Sequence, residues 1–199
     1  MHTHNQQRRR VVVTGYGTIN PLGHTAVATW AKIAAGQSGI APITGFDASP
    51  HKTQIAGEVR DFDPVAIFGR KEARRLDRAT QYALVAAEEA LQMAGIDQLS
   101  ESERGAIGVV LGTGLGGIST TEEAAQTMFE RGPNRVSPFF IPMMLADSIP
   151  ARISMTYGLR GVNLSLATAC ASATNAIGEA IEMIRHGRAD IIISGGAET

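Results

Sequence analysis

The single cysteine has more chemistry to offer than any other residue. Cys170 stands between an apolar stretch, Val162 to Thr168, and a helix-forming one, Ala171 to His186. Ala167, Thr168, Ala169, Ala171, Ser172 and Ala173 surround it, all of them small. A sharp strand-to-helix turn needs small neighbours and holds its side chain out at the end of a sheet, where α/β proteins bind ligands. The start of the helix directs unpaired N–H groups and positive partial charge at the sulfur, which favours thiolate over thiol. Those N–H groups can also hold a developing oxyanion. A lone cysteine is more often a small buried apolar side chain. Its place at this junction favours a nucleophile.

A nucleophile of this kind works with a base, and the histidines place none beside it. His186 lies at the far end of the helix that Cys170 opens, roughly 24 Å away at the usual helical rise. It suits a cation at a helix C-terminus. His24 and His51 stand in loops without an acidic pattern, and His2 and His4 belong to the polar start MHTHNQQRRR. The partners of Cys170 are therefore expected beyond Thr199.

Two further patterns compete. Gly112-Thr-Gly114-Leu-Gly-Gly117 fits the G-x-G-x-x-G dinucleotide fingerprint after a strand. It carries little weight among 22 glycines. Ile118-Ser119 delay the helix, and no acid ends a following strand where a ribose partner is expected. A turn that lets backbone approach a neighbour is the better reading. In GRKEARRLDR, Arg70, Lys71, Arg74, Arg75 and Arg78 recur at helical spacing near the start of a helix, against the macrodipole preference. An acidic partner and a plain solvated face both fit such a run.

These residues need elements to position them. Arg10 to Gly17 reads as a strand running into a turn, and Thr25 to Gly36 as a helix with Thr25 as N-cap. Residues 37–70 read as loops with an edge strand near Ile55 to Val59. The spacing of Leu76, Ala79, Ala83, Ala86, Ala87, Ala90 and Ala94 predicts a close-packed helix over Lys71 to Ala94, stopped by Gly95. Ala106 to Leu111 is a buried strand. A helix follows from Thr120 to Glu130, with Glu122 and Glu123 in its first turn, and Leu145 to Tyr157 is helical with a break or start near Pro150. Val162 to Thr168 and Ile191 to Ser194 are strands on either side of the helix from Ala171 to His186. The alternation gives an α/β domain with a largely parallel sheet.

With 199 residues, 44% hydrophobic and 19% charged, the chain can bury one sizeable core. Eighteen basic against nineteen acidic residues leave a net charge of −1, which is not the footprint of a nucleic-acid binder. One cysteine excludes an internal disulfide and a multi-cysteine zinc site, and fits a reducing cytoplasm. No apolar run approaches the roughly 20 residues that cross a bilayer. Residues 1–9 read as a disordered tail and 10–199 as one domain, part of a larger protein because the chain stops just after a strand.

Ser137-Pro-Phe-Phe140-Ile-Pro142, Tyr157-Gly-Leu-Arg-Gly161, Ala167-Thr-Ala-Cys170-Ala-Ser172 and Ser194-Gly-Gly-Ala-Glu198 together resemble the condensing enzymes of fatty-acid synthesis. The opening VVVTGYGTINPLG and the GTGLGG turn are similar to the same family, the β-ketoacyl synthases of thiolase-like fold. The resemblance implies a mixed, largely parallel sheet covered by helices, one of the two halves of an α/β/α/β/α fold. Residues 10–199 are then the N-terminal half, inactive alone. By the same resemblance Cys170 takes an acyl chain from a carrier-protein thioester. A malonyl thioester then loses carbon dioxide and its enolate attacks the acyl-cysteine, giving a 3-oxoacyl thioester. Two histidines of the C-terminal half assist, and a backbone N–H there joins that of Cys170 in the oxyanion hole. No metal or organic cofactor is implied. Leu115, Phe140 and Ile141 are expected to line an acyl tunnel shared across a cytoplasmic homodimer. Lys71, Arg74, Arg75 and Arg135 match positions that dock the acidic acyl carrier protein. A polyketide ketosynthase or a thiolase-type acyltransferase is the near alternative. A catalytically silent partner subunit is the more distant one, against which Cys170 argues. Ala173 departs from the glycine usual there, and Val162 from a common proline.

Overall fold

The computed structural model describes residues 9–199. His2, His4 and nearly all of the expected tail lie outside them. Arg9, its last residue, is anchored, with its guanidinium 2.5 Å from Asp190. Along the chain come α1 (Ala26–Ala34), β1 (Ile40–Pro42), β2 (Ile55–Gly57), α2 (Pro64–Ala73), α3 (Arg78–Met93) and α4 (Glu101–Gly105). They are followed by β3 (Gly108–Gly112), α5 (Ile118–Arg131), α6 (Phe140–Met144), α7 (Ser148–Tyr157), β4 (Asn163–Leu166), α8 (Ser172–Arg185) and β5 (Ile192–Gly196).

The main sheet has the order β4-β3-β5 with every pairing parallel, and β1 and β2 form a separate antiparallel pair. β3 runs through the middle and is buried at every residue. Side chains alternate across a strand, so it feeds two cores. Val109 and Leu111 join Ile107 against α3 and α7, whereas Val110 meets Ala176, Ala180 and Met183 of α8. The result is helix, sheet, helix, as the alternation requires.

The alanine face of α3 does bring a neighbour close. A Cβ on Gly15 would stand 2.2 Å from the Ala90 carbonyl oxygen, and one on Gly17 2.1 Å from that of Ala86. The N-terminal segment thus lies directly on the helix backbone. The expected strand over Arg10 to Gly17 does not form there. A β-branched run becomes a strand only beside a partner edge, and none of the described residues offers one; Val12 and Val13 are 60% and 83% exposed.

The helix expected over Lys71 to Ala94 is two helices. Asp77 caps α3 by accepting the Ala79 N–H at 3.0 Å, and the chain breaks just before it. The first of them, α2, begins earlier, with Asp63 as N-cap and Pro64 in the first turn, and it kinks at Gly69. That pair of residues is a helix-start signal inside the stretch read as loops. Arg70 and Lys71 consequently occupy the last turn of α2, where the macrodipole favours cations rather than opposing them. Likewise α5 begins at Ile118, directly after the glycine turn, so Glu122 and Glu123 fall beyond its first turn.

Candidate active site

Three parallel strands end at one edge: Gly112 of β3 is in register with Leu166 of β4 and with Gly196 of β5. The GTGLGG turn, the turn bearing Cys170, and Ala197-Glu198 leave the sheet there. Cys170 is exposed. Ala169, just before it, has φ 51°, a conformation that a side chain rarely accepts and that persists only when its surroundings impose it.

The surroundings do impose it. The buried Ser172 hydroxyl accepts the Thr168 N–H at 2.8 Å and donates to the Ala169 carbonyl at 2.7 Å. Asn175 donates to the Thr168 hydroxyl at 2.7 Å, and the Ala171 and Ser172 N–H groups close back on the carbonyls of Thr168 and Ala169. From below, α8 rests on strand ends that carry no side chain. A Cβ on Gly112 would lie 2.2 Å from the Ser172 carbonyl carbon, and one on Gly196 2.7 Å from the Ala173 Cβ. Ala173 is therefore tolerated because Gly196 faces it. Held on both sides, the turn presents a thiol at the sheet edge beside the start of a helix.

The GTGLGG turn stands next to it. A Cβ on Gly114 would come within 3.8 Å of the Ala169 Cα. Gly116, with φ 76°, and Gly117 pack on the backbone of Met143 to Ala146, and the Gly117 N–H bonds the Met144 carbonyl at 3.0 Å. This seats exposed Leu115 on a turn packed against the end of α6, the helix that carries half-buried Phe140 and exposed Ile141. The same packing removes the dinucleotide alternative. The start of α5, where a pyrophosphate would sit, is already held by buried Asp77, which accepts the Thr120 hydroxyl at 2.6 Å and its N–H at 3.3 Å.

Away from this edge, Arg70, Lys71, Arg74 and Arg75 face Ser137, Pro138 and Phe139 across a cleft of about 570 Å³. The Arg75 guanidinium lies 4.5 Å over the Phe139 ring and 3.5 Å from Glu72. Arg152 bonds Glu72 at 2.7 Å and holds its carboxyl below the usual carboxylate range. Arg135 stands on a short 3-10 turn two residues before Ser137, outside the cleft lining. Arg78 is drawn elsewhere, 4.6 Å over Phe62 and bonded to the Tyr82 hydroxyl at 2.9 Å. The described histidines stay apart from Cys170: His24 bonds the Arg60 carbonyl, His51 meets Phe46 edge-on, and His186 bonds the Glu182 carbonyl. Among the described residues no three metal-ligating side chains cluster.

Fold and site together define a layered α/β domain shaped to present a cysteine. Residues 8–199 match the family described as β-ketoacyl synthase, N-terminal domain, and the chain belongs to it. It is 43% identical over 192 residues to 3-oxoacyl-(acyl-carrier-protein) synthase 2 of Staphylococcus aureus (strain COL), covering 96% of this chain and 46% of that protein. The enzyme of the same name from Coxiella burnetii is 41% identical, with the same coverage. The chain thus spans about half the length of these curated relatives. Among solved structures, the ishigamide ketosynthase/chain length factor matches with TM-score 0.82 and 32% identity, covering 96% of this chain and 48% of that one. A type II polyketide acyl-carrier protein in complex with its ketosynthase matches with TM-score 0.80 and 26% identity, covering 96% and 52%. The thiolase-like α/β fold is therefore that of its relatives, and no described helix is long and apolar enough to cross a membrane. Sequence reasoning passed over Ser172, Asp77 and Glu198 as individual side chains. Ser172 and Glu198 at least stand inside the motifs that carry the resemblance.

Proposed function

We propose that this chain is the cysteine-bearing half of a condensing enzyme that makes 3-oxoacyl thioesters on an acyl carrier protein, with Cys170 as the acyl acceptor. The observation that supports it is the exposed thiol on a turn locked by Ser172 and strained at Ala169, in a chain 43% identical to such a synthase. The Cys170 thiolate attacks the carbonyl of an acyl thioester and the carrier thiol leaves with a proton. The tetrahedral oxyanion between these steps is held by the Cys170 N–H and a second donor outside this chain. Decarboxylation of a malonyl thioester yields an enolate, which attacks the acyl carbon; the new carbon–carbon bond forms as the cysteine thiolate is released. The histidines that assist belong to the second half.

Leu115, Phe140 and Ile141 line the acyl channel in this reading, completed across a cytoplasmic homodimer. Lys71, Arg74 and Arg75 receive the acidic carrier protein in the cleft beside Phe139, with Arg135 at its margin. The solved relative that holds its own acyl-carrier protein supports such a protein as the partner. That relative also favours a second reading, a polyketide ketosynthase, which shares the same first step and differs in the chains it extends.

The test incubates the complete two-half enzyme with an acyl-carrier thioester and maps the adduct by mass spectrometry. Acylation is expected at Cys170, absent from Cys170→Ser, and sedimentation of the same preparation is expected to give a dimer. An adduct at another residue, or one that survives in Cys170→Ser, removes the assignment, and a stable active monomer removes the shared channel.

A further inference from the structure

The segment Ser194-Gly-Gly-Ala-Glu198 has no part in the chemistry above, yet it ends at the same sheet edge as Cys170. The ladder between β3 and β5 finishes with Gly112 opposite Gly196, followed by one more bond from the Ala197 N–H to the Gly112 carbonyl at 3.1 Å. Past that rung β5 offers Gly114 no backbone acceptor, and a side chain takes over. Glu198 Oε2 accepts the Gly114 N–H and the Thr113 hydroxyl, the latter at 3.1 Å. Thr113 is 2% exposed, and its own hydroxyl oxygen accepts the Gly116 N–H at 3.1 Å. One run of hydrogen bonds therefore passes from the carboxylate through a buried hydroxyl to the amide of Gly116.

Leu115 lies between the two amides so fixed. On the other side, Gly114 faces Ala169, the strained residue before the cysteine. A carboxylate suits the task because one charged oxygen takes two donors more strongly than a neutral acceptor would. We infer that Glu198, acting with Thr113, is a positioning residue that sets the height of Leu115 relative to the Cys170 thiol, and with it the acyl chain length the site accepts. The inference rests on the acyl-channel reading given above.

Acylation of Cys170 by a short and by a long acyl-carrier thioester, measured by mass spectrometry in the complete enzyme, gives a long-to-short rate ratio. In Glu198→Ala this ratio is expected to move by roughly 10-fold or more, since small displacements at a reacting site carry such costs. Glu198→Gln, which keeps an acceptor at Oε1, is expected to return most of the wild-type ratio. Glu198→Asp, one methylene shorter, folds on the same charge and is expected to shift the ratio as alanine does. Adding Thr113→Val to Glu198→Ala is expected to cost little more, because both cut one run of bonds. If the wild type is acylated at Cys170 and the ratio stays put in both the Ala and Asp variants, Glu198 has no positioning role and the functional reading stands. If the wild type is not acylated at Cys170, both fall together.

Discussion

Cys170 owes its position less to its own contacts than to what two glycines leave out. Gly112 has no room for a side chain, since its Cβ would lie 2.2 Å from the Ser172 carbonyl carbon, and backbone cannot yield as a flexible side chain can. Gly112→Ala is therefore expected to push back the first turn of α8 and carry the thiol with it. Acylation of Cys170 should fall by roughly 100-fold, the scale of an ångström-sized misplacement. Gly178, on the exposed side of the same helix, is the control, because a Cβ there meets nothing within 4 Å. Gly178→Ala should keep acylation and stabilise the helix by about 0.5–1 kcal/mol, alanine being the better helix former. Adduct yield and melting temperature, read on both variants, decide the matter. Equal losses in the two would place the sensitivity in α8 as a whole rather than at its contact with β3.

Among the elements, the small β1–β2 pair shows how a surface segment is held. Glu58, just past β2, accepts the N–H groups of Thr44 and Gly45 and the Thr44 hydroxyl. These donors, the Thr44 N–H first among them, lower its pKa from the usual 4.5 to about 2. A carboxyl whose folded value lies below its unfolded one stabilises the fold above the unfolded value and loses that contribution as pH falls. The support of this loop should thus be complete above pH 4.5 and fade as pH drops toward 2. An NMR titration of the Glu58 side chain should show a midpoint near 2, moving with the Thr44 amide; a midpoint at the ordinary carboxylate value would show that the loop is not held. Elements with local signals were legible in the sequence. Thr25 caps α1, Gly95 ends the α3 turn with φ 68°, and the apolar run of β3 is buried throughout. Elements decided by distant partners were not. Asp77 is a local cap for the Ala79 N–H, but its other oxygen is held by Thr120, 43 residues away, which nothing nearby in the sequence reveals. The apolar stretch before Cys170 and the helix-forming one after it put it between β4 and α8, as the structure has it, but the Ser172 and Glu198 bonds that shape the edge depend on side-chain direction, which spacing does not give.

At the scale of the whole molecule, charge is nearly balanced and its distribution matters more than its sum. The net charge of this chain, −1, gives no long-range pull of its own on an acidic partner, so steering from this half rests on local clusters such as Arg70, Lys71, Arg74 and Arg75 around one cleft. These residues are not equivalent. Arg75 is already spent on the Phe139 ring and Glu72, so reversing it would disturb packing as well as charge. Lys71 and Arg74 are exposed at the end of α2 and make the cleaner test. Charges of this kind act mainly on encounter, and their reach shrinks from about 10 Å at 0.1 M salt to about 3 Å at 1 M. The double reversal Lys71→Glu, Arg74→Glu is therefore expected to raise KM for a carrier-borne acyl substrate by roughly 10-fold at low salt, with a much smaller effect near 1 M. A small soluble thioester, which has no acidic surface to steer, is the comparison in the same assay. Should both substrates suffer alike at every salt concentration, the patch serves the fold rather than a partner, and the docking role of the cleft is lost.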